Sequence, residues 1–234
     1  MPGSRFRGQL ATQPPGWIYT YICLQSNQVC SRSRIWICST GPFVHLPVHA
    51  AGIYAKNVRS SVHDYHVVSY VPTLTALINA RKQYIPPSRT SLRALLASVA
   101  RPPGKWNPLP CADEEVAVLR SIIPASAILE TNMTTSYGSA TCSHILETAD
   151  KASILHLACH GHQDRSNPLE SGFVMQDGLL TVSRLMALNL PHVFFAFLSA
   201  CNTASGDVKQ PNQIISLAST MIFTGFKSVV ATMW

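Results

Sequence analysis

The amino-acid sequence has few charged residues and no long apolar run. Asp, Glu, Lys and Arg make up 12% of its 234 residues, whereas hydrophobic residues make up 47%. This composition argues against a disordered protein, and the length allows one large domain or two small ones with a sizeable core. No apolar stretch approaches the roughly 20 residues that a membrane-spanning helix requires. We therefore expect a globular protein without a membrane segment.

Signals for secretion and for disulfide or zinc chemistry are also missing. Gln9, Thr12 and Pro14 interrupt any apolar region that a signal peptide would need at the N-terminus. The seven cysteines are odd in number and form no CxxC pair. We therefore expect reduced thiols, a location in the cytoplasm or the nucleus, and no structural zinc site.

Acidic residues are almost absent from the first 105 positions. Asp64 is the single acid there against 12 Lys and Arg, whereas residues 106–234 hold 10 acids and 6 Lys and Arg, and the net charge is +7. This asymmetry is compatible with a surface for nucleic acid or for an acidic partner. The basic residues occur as ones and twos, however, which favours a solvated basic face over nucleic-acid binding.

The second half of the chain alternates apolar segments with amphipathic ones. The pattern predicts strands over 92–100, 127–129, 153–158, 193–198 and 228–232. It predicts helices over 113–123, 137–148, 183–188 and 211–224. Asp177-Gly178 favours a tight turn between two short strands. Buried apolar strands that alternate with helices are typical of a parallel sheet covered on both faces, so we expect an α/β fold.

The first half has a weaker pattern. Residues 1–32 show no clear period, and we predict a poorly ordered lead-in there, before a domain over 33–234. Strands are predicted over 34–38, 43–46 and 66–70, and helices over 47–54 and 73–83.

Two polar segments follow predicted strands. His160-Gly161-His162 follows the strand over 153–158, and Ser199-Ala200-Cys201 ends the strand over 193–198. In parallel sheets, active sites lie beyond the carboxyl ends of the strands. A cysteine becomes a nucleophile when a nearby base or positive charge favours its thiolate. His160 and Cys201 therefore suggest a Cys–His hydrolase, although Cys201 alone also fits a buried core thiol.

The neighbours of His160 have simpler interpretations. By strand parity Cys159 points away from His160 and is predicted to be a core thiol, and His156 a satisfied core histidine. His162 is predicted to be exposed or to contact substrate. Cys159, His160 and His162 match no common zinc spacing, which argues against a metal site. Two interpretations are open for the acids Asp164, Asp177 and Asp207. They either orient the histidine or line a pocket, or they are exposed acids in turns. For Asp164 the exposed role is favoured.

A set of motifs resembles one family. In the second half it comprises His160-Gly161, Asp177-Gly178, Leu198 to Cys201 with Thr203 and Gly206-Asp207, and Gly225 with Val229 to Trp234. Upstream it comprises Gly41-Pro42, Leu46 to Gly52, Ser69 to Thr73, and Leu109-Pro110 with Glu114 to Val116. Together these motifs resemble the CHAT domain, a caspase- and separase-like cysteine peptidase domain. The local sequence of residues 47–54 resembles that of fungal members.

The resemblance implies a caspase-like three-layer α/β/α sandwich with a mostly parallel central sheet. Cys201 would be the nucleophile, and His160 would activate the thiol or protonate the leaving amine. Backbone N–H groups of Gly161 and Cys201 would form the oxyanion hole, and Asp177 and His162 are the candidate substrate-binding residues. The implied function is a cysteine endopeptidase without a cofactor, acting on protein substrates under the control of a partner protein.

Three departures motivate an alternative. Asn212-Gln213 stands where the family commonly has an acidic pair, and the first 30 residues do not match. The family's domain continues beyond the strand at 228–232, so the resemblance predicts that a C-terminal part is missing. The alternative is a catalytically inactive CHAT-domain remnant that acts as a protein-interaction module.

Overall fold

The structure, a computed structural model, describes residues 21–25, 33–82, 85–129, 140–164, 166–200 and 216–232. Its strands are β1 (Tyr21–Gln25), β2 (Ser33–Cys38), β3 (Gly52–Ala55), β4 (Val58–Ser61), β5 (His66–Tyr70), β6 (Ala94–Ser98), β7 (Ile154–Ala158), β8 (Gly161–His162), β9 (Gly172–Met175), β10 (Gly178–Thr181), β11 (Phe195–Ser199) and β12 (Ser228–Ala231). Its α-helices are α1 (Val62–Tyr65), α2 (Leu74–Arg81), α3 (Pro110–Ile122), α4 (Cys142–Thr148), α5 (Val182–Met186) and α6 (Leu217–Thr224). None of these helices is long and apolar enough to cross a membrane.

The predicted parallel sheet is present. Its four strands lie in the order β12-β11-β7-β6, and every neighbouring pair is parallel. Ser199 pairs with Ala158, and Ala158 pairs with Ser98, so three strands end at the same level. The carboxyl ends of β6, β7 and β11 therefore form one continuous edge.

Both faces of this sheet are covered by helices. On one face, Leu155, Leu157 and Leu198 pack in a cluster with side chains from α4, α5 and α6. On the other face, Ala94, Leu96 and Ala158 pack with residues of α3. Each fully buried leucine contributes about 1.5–3 kcal/mol relative to an exposed one. The result is a mixed α/β fold with helical layers on both sides, consistent with the caspase-like sandwich expected from the resemblance.

A small antiparallel sheet continues from the end of β7. It has the order β10-β9-β8, and β9 and β10 form the predicted hairpin. Gly178 follows the turn with φ of 136°, a value that only glycine adopts readily. This hairpin is confirmed, and it lies directly after the segment that carries His160.

The N-terminal region forms a second sheet, in which β2 lies between β1 and β5. β1 falls inside the segment predicted as a lead-in, and the rest of residues 1–32 lies outside the described part of the chain. The β2, β5 and α2 predictions are confirmed, and Thr73 caps α2 by accepting the backbone N–H of Ala76 at 2.9 Å.

Two predictions between β2 and β5 are wrong. The predicted strand over 43–46 falls in a 3₁₀ helix, Gly41–His45, which begins at a glycine with φ of 57°. The predicted helix over 47–54 is a 3₁₀ turn, Val48–Ala50, followed by β3 of a β3–β4 hairpin. Gly52 is a poor helix former, and Ile53 and Tyr54 favour strands, so the hairpin prevails.

Three boundaries in the second half also differ. Residues 127–129 add a single bridge, between Ile128 and Ala94, because a 3₁₀ turn takes up Ala125–Ala127. Of the helix predicted over 137–148, the described part begins as α4 at Cys142, after Thr141 in an extended conformation, and residues 137–139 lie outside the described part. The helix predicted from Pro211 begins at Leu217, because Ser216 is extended and accepts the N–H of Ser219 at 3.1 Å. Residues 211–215 lie outside the described part.

Candidate active site

His160 lies just beyond β7, at the carboxyl edge of the parallel sheet. Its Nε2 is 2.7 Å from the backbone oxygen of Asn107. A carbonyl oxygen can only accept a hydrogen bond, so Nε2 must carry the proton and donate it. In the neutral ring the free lone pair is then on Nδ1. The second ring nitrogen of a histidine determines the tautomer in this way, and here it makes Nδ1 the basic atom.

Trp106 packs against the histidines of this segment. Its ring centroid is 5.4 Å from that of His160, with the planes tilted by 30°, and 5.7 Å from that of His162, edge to face. Trp106 is half-buried and His160 is partly exposed. The tryptophan therefore limits the orientations of the His160 ring while solvent still reaches the edge of the sheet.

The segment that carries Trp106 and Asn107 connects β6 to α3 and is closed by hydrogen bonds. The N–H of Val99 donates to the oxygen of Ala158 at 2.9 Å, and the N–H of Leu109 donates to the oxygen of Ala100 at 2.7 Å. At the base, Ser98 Oγ donates to Oδ1 of Asp113 at 2.6 Å. These hydrogen bonds bring the segment, and with it the carbonyl of Asn107, to the ends of β6 and β7.

β11 leads towards the predicted nucleophile. It runs parallel to β7, and the N–H of Cys159 donates to the oxygen of Ser199 at 3.3 Å. Ala200 is buried, and its oxygen accepts the hydroxyl of Thr232 at 2.5 Å. Cys201 itself, with its predicted contribution to an oxyanion hole, lies outside the described residues, as does Asp207.

A polar cluster beneath this edge was not predicted. Ser199 Oγ donates to Oε2 of Glu115 at 2.8 Å, and Oε1 of Glu115 lies 3.3 Å from Nε2 of His156. The pattern of α3 contains a signal for this contact. Glu115 follows Ala112 by three residues and precedes Leu119 by four, so it flanks the apolar stripe that faces the sheet.

His156 is a core histidine, as predicted, but not a hydrogen-bonded one. It is only 2% exposed, and its ring packs on Phe197 with centroids 5.2 Å apart. Within the described residues neither ring nitrogen has a partner with good hydrogen-bond geometry, although Nε2 is 3.3 Å from Oε1 of Glu115 and the backbone of Phe197 also lies close to the ring. Burial lowers the pKa of His156, and Glu115 offsets only part of that effect. The ring is therefore neutral near neutral pH.

Cys159 is a core thiol, which confirms the parity argument. It is 2% exposed and packs in the cluster on the face opposite α3. Burial raises its pKa far above that of an ordinary thiol, so the thiolate is not formed. Cys159 cannot therefore supply the nucleophile in this fold.

The acids of the neighbouring loops have structural contacts. Asp164 accepts the N–H groups of Ser166 and Asn167 at 2.8 and 2.9 Å, as a turn acid does. Asp177 accepts the N–H of Cys142 at 2.6 Å, at the first residue of α4. Burial raises the pKa of Asp177, but the hydrogen bonds to its carboxylate outweigh burial and hold the pKa below its usual value.

The other predicted site residues lie close to His160 in the chain. Gly161 and His162 form β8, which pairs with β9, and both are half-buried. The predicted roles of Gly161 in the oxyanion hole and of His162 and Asp177 in substrate binding stay predictions. Within the described ranges, no group of three or more His, Cys, Asp or Glu side chains could hold a metal ion.

Comparison with known proteins identifies one family. A family model described as CHAT domain matches residues 14–234. The match begins at residue 14, so the expectation that the first 30 residues do not match the family is wrong for residues 14–30. It covers the β6-to-α3 connection, His160 and the β11 end. No curated protein matches the chain.

Proposed function

The chain belongs to the CHAT domain family, and from that premise we propose that it is a cysteine endopeptidase in which His160 and Cys201 hydrolyse peptide bonds of protein substrates. CHAT domains form a caspase-like, peptidase-related family. The observation that carries the proposal is the hydrogen bond from His160 Nε2 to Asn107. It leaves Nδ1 as a base at the edge where the strand before Cys201 ends.

The proposed reaction begins with proton transfer from the Cys201 thiol to Nδ1 of His160. The sulfur then attacks the peptide carbonyl carbon, and the carbon–oxygen double bond opens to an oxyanion. The N–H groups of Gly161 and Cys201 are proposed to stabilise that charge. Nδ1 returns the proton to the leaving amine as the carbon–nitrogen bond breaks, which leaves a thioester. Water, deprotonated by the same nitrogen, hydrolyses the thioester and restores the thiol.

The carbonyl of Asn107 has a definite role in this scheme. When Nδ1 takes the proton, the ring becomes an imidazolium, and a hydrogen bond to a charged donor is stronger than one to a neutral donor. Asn107 therefore stabilises the protonated ring and also holds its orientation. Trp106 supports the same orientation by packing on the ring.

The substrate side of the proposal involves residues near this edge. His162 and Asp177 are the proposed substrate contacts, and a partner protein is the proposed regulator. The reduced thiols expected from the cysteine pattern favour the cytoplasm as the compartment.

A comparison of two variants, each with one cysteine replaced, tests the proposal. Cys201→Ala should abolish both peptide cleavage and labelling by a thiol-directed peptide probe, because the nucleophile is removed. Cys159→Ala is the matched control and should keep both, because Cys159 is buried in the core. Equal labelling of the two variants would rule out Cys201 as the nucleophile. A wild-type chain without labelling or cleavage would favour the interaction module instead.

A further inference from the structure

We propose that Glu115 is a positioning residue of the candidate site. Its carboxylate fastens α3 to the carboxyl end of β11, and α3 in turn follows the segment that holds Asn107 against His160. Glu115 thereby keeps the base and the end of β11 in one arrangement. The proposal rests on the proposed function for its effect on catalysis, but its structural consequence can be measured without catalysis.

The two oxygens of Glu115 contact two different strands. Oε2 accepts the hydroxyl of Ser199, the last residue of β11, and Oε1 lies beside Nε2 of His156 in β7. The Glu115 side chain is 35% exposed. The carboxylate is thus half-buried, and its hydrogen bond to Ser199 and its approach to His156 are made on the side that faces the sheet.

Helix α3 links the position of the Glu115 carboxylate to that of His160. Ala112 and Val116 hold the helix on β6 and β7 through apolar packing, and Asp113 binds Ser98 at the end of β6. Within the described ranges, Glu115 makes the polar contact between α3 and β11. Asn107 precedes the helix by three residues. A shift of α3 relative to β11 therefore moves the Asn107 carbonyl relative to the strand end.

The chemistry of the contact predicts how variants differ. Glu115→Ala removes the hydrogen bond that the Ser199 hydroxyl donates and the carboxylate that lies beside the His156 ring. Glu115→Gln keeps an oxygen that accepts the Ser199 hydroxyl and adds an N–H that can donate to Nε2 of His156. Glu115→Gln should therefore preserve the position of α3. Glu114 is exposed on the same helix, so Glu114→Ala is the matched control.

Steady-state kinetics give the first measurement. Glu115→Ala and Ser199→Ala should lower kcat about tenfold with KM little changed, because a small displacement of catalytic groups costs rate more than binding. Glu115→Gln and Glu114→Ala should stay within about twofold of wild type. Equal activity of Glu115→Ala and Glu114→Ala would overturn the proposal.

Nitrogen NMR of histidine-labelled protein gives the second measurement and needs no peptidase activity. The His160 signals, assigned with His160→Gln, should report the Nε2–H tautomer in wild type, Glu115→Gln and Glu114→Ala. Glu115→Ala should show a mixture of tautomers. Unchanged His160 signals in that variant would overturn the proposal even if wild type proves inactive. If Glu115→Ala does not fold, Ser199→Ala decides the question by both measurements.

Discussion

Three residues of one short segment have different roles because their surroundings differ. His156 is buried beside Glu115, Cys159 is buried among apolar side chains, and His160 is partly exposed with its Nε2 bound to a carbonyl. Strand parity predicts the burial of Cys159. It cannot identify the partner of His160, because Asn107 precedes it by 53 residues, and local pattern carries no information on contacts at that separation.

The burial of His156 predicts a pH dependence of stability. Because its folded-state pKa is lowered by burial, the unfolded chain takes up a proton at a higher pH than the folded chain does. The stability that depends on the neutral ring is present above the unfolded pKa of about 6.5 and is lost as the pH falls below it. In His156→Asn, the free energy of unfolding should fall less steeply with acidification.

Chemical denaturation from about pH 7.5 to about pH 5 measures this difference. His192→Asn is the control, since His192 is exposed and so lacks the burial that this prediction depends on. If the free energy of unfolding of wild type and of His156→Asn falls equally steeply with pH, the account of a neutral, buried His156 is contradicted.

At the scale of elements, prediction succeeds where a single periodic signal dominates. α3 has a clear apolar stripe and is found close to its predicted bounds. The β9–β10 hairpin has a clear turn dipeptide, and its turn lies where Asp177-Gly178 predicts it. The segment over 43–54 contains glycine, proline and strand-favouring residues together, and both predictions made for it are wrong. The sequence offers two start signals for α6, Pro211 and the capping residue Ser216. The prediction used Pro211, whereas the helix of the structure begins after Ser216.

The end of α6 depends on glycine. Gly225 has φ of 126°, and a Cβ atom there would lie 2.3 Å from the oxygen of Leu190. Gly225→Ala should therefore lower the free energy of unfolding by about 2 kcal/mol or more, from backbone strain and steric overlap together.

Gly104 provides the matched comparison. It has φ of 73°, but a Cβ atom there would meet nothing within 4 Å. Gly104→Ala should cost only the backbone strain, about 1 kcal/mol. Thermal or chemical denaturation measures both variants. If the two substitutions cost the same, the close approach of Leu190 does not determine the helix end.

At the scale of the whole molecule, the alternation of apolar and amphipathic segments is sufficient to predict a parallel sheet with helices on both faces. It does not predict the strand order β12-β11-β7-β6, which depends on hydrogen bonds between distant segments. The order matters for the site. It makes β7 and β11 neighbours, so that the strand before His160 and the strand that precedes Cys201 in the sequence end side by side.

The central claim is that His160 is the base for Cys201, and the pH dependence of Cys201 alkylation tests it most directly. Iodoacetamide reacts with thiolates, and mass analysis of the peptide that contains Cys201 measures the rate. In wild type and in the control His162→Gln, we predict rapid alkylation well below the ordinary thiol pKa of about 8.5, because a nearby imidazolium stabilises the thiolate. In His160→Gln the profile should return to that of an ordinary thiol. Identical profiles for wild type and His160→Gln would contradict the account.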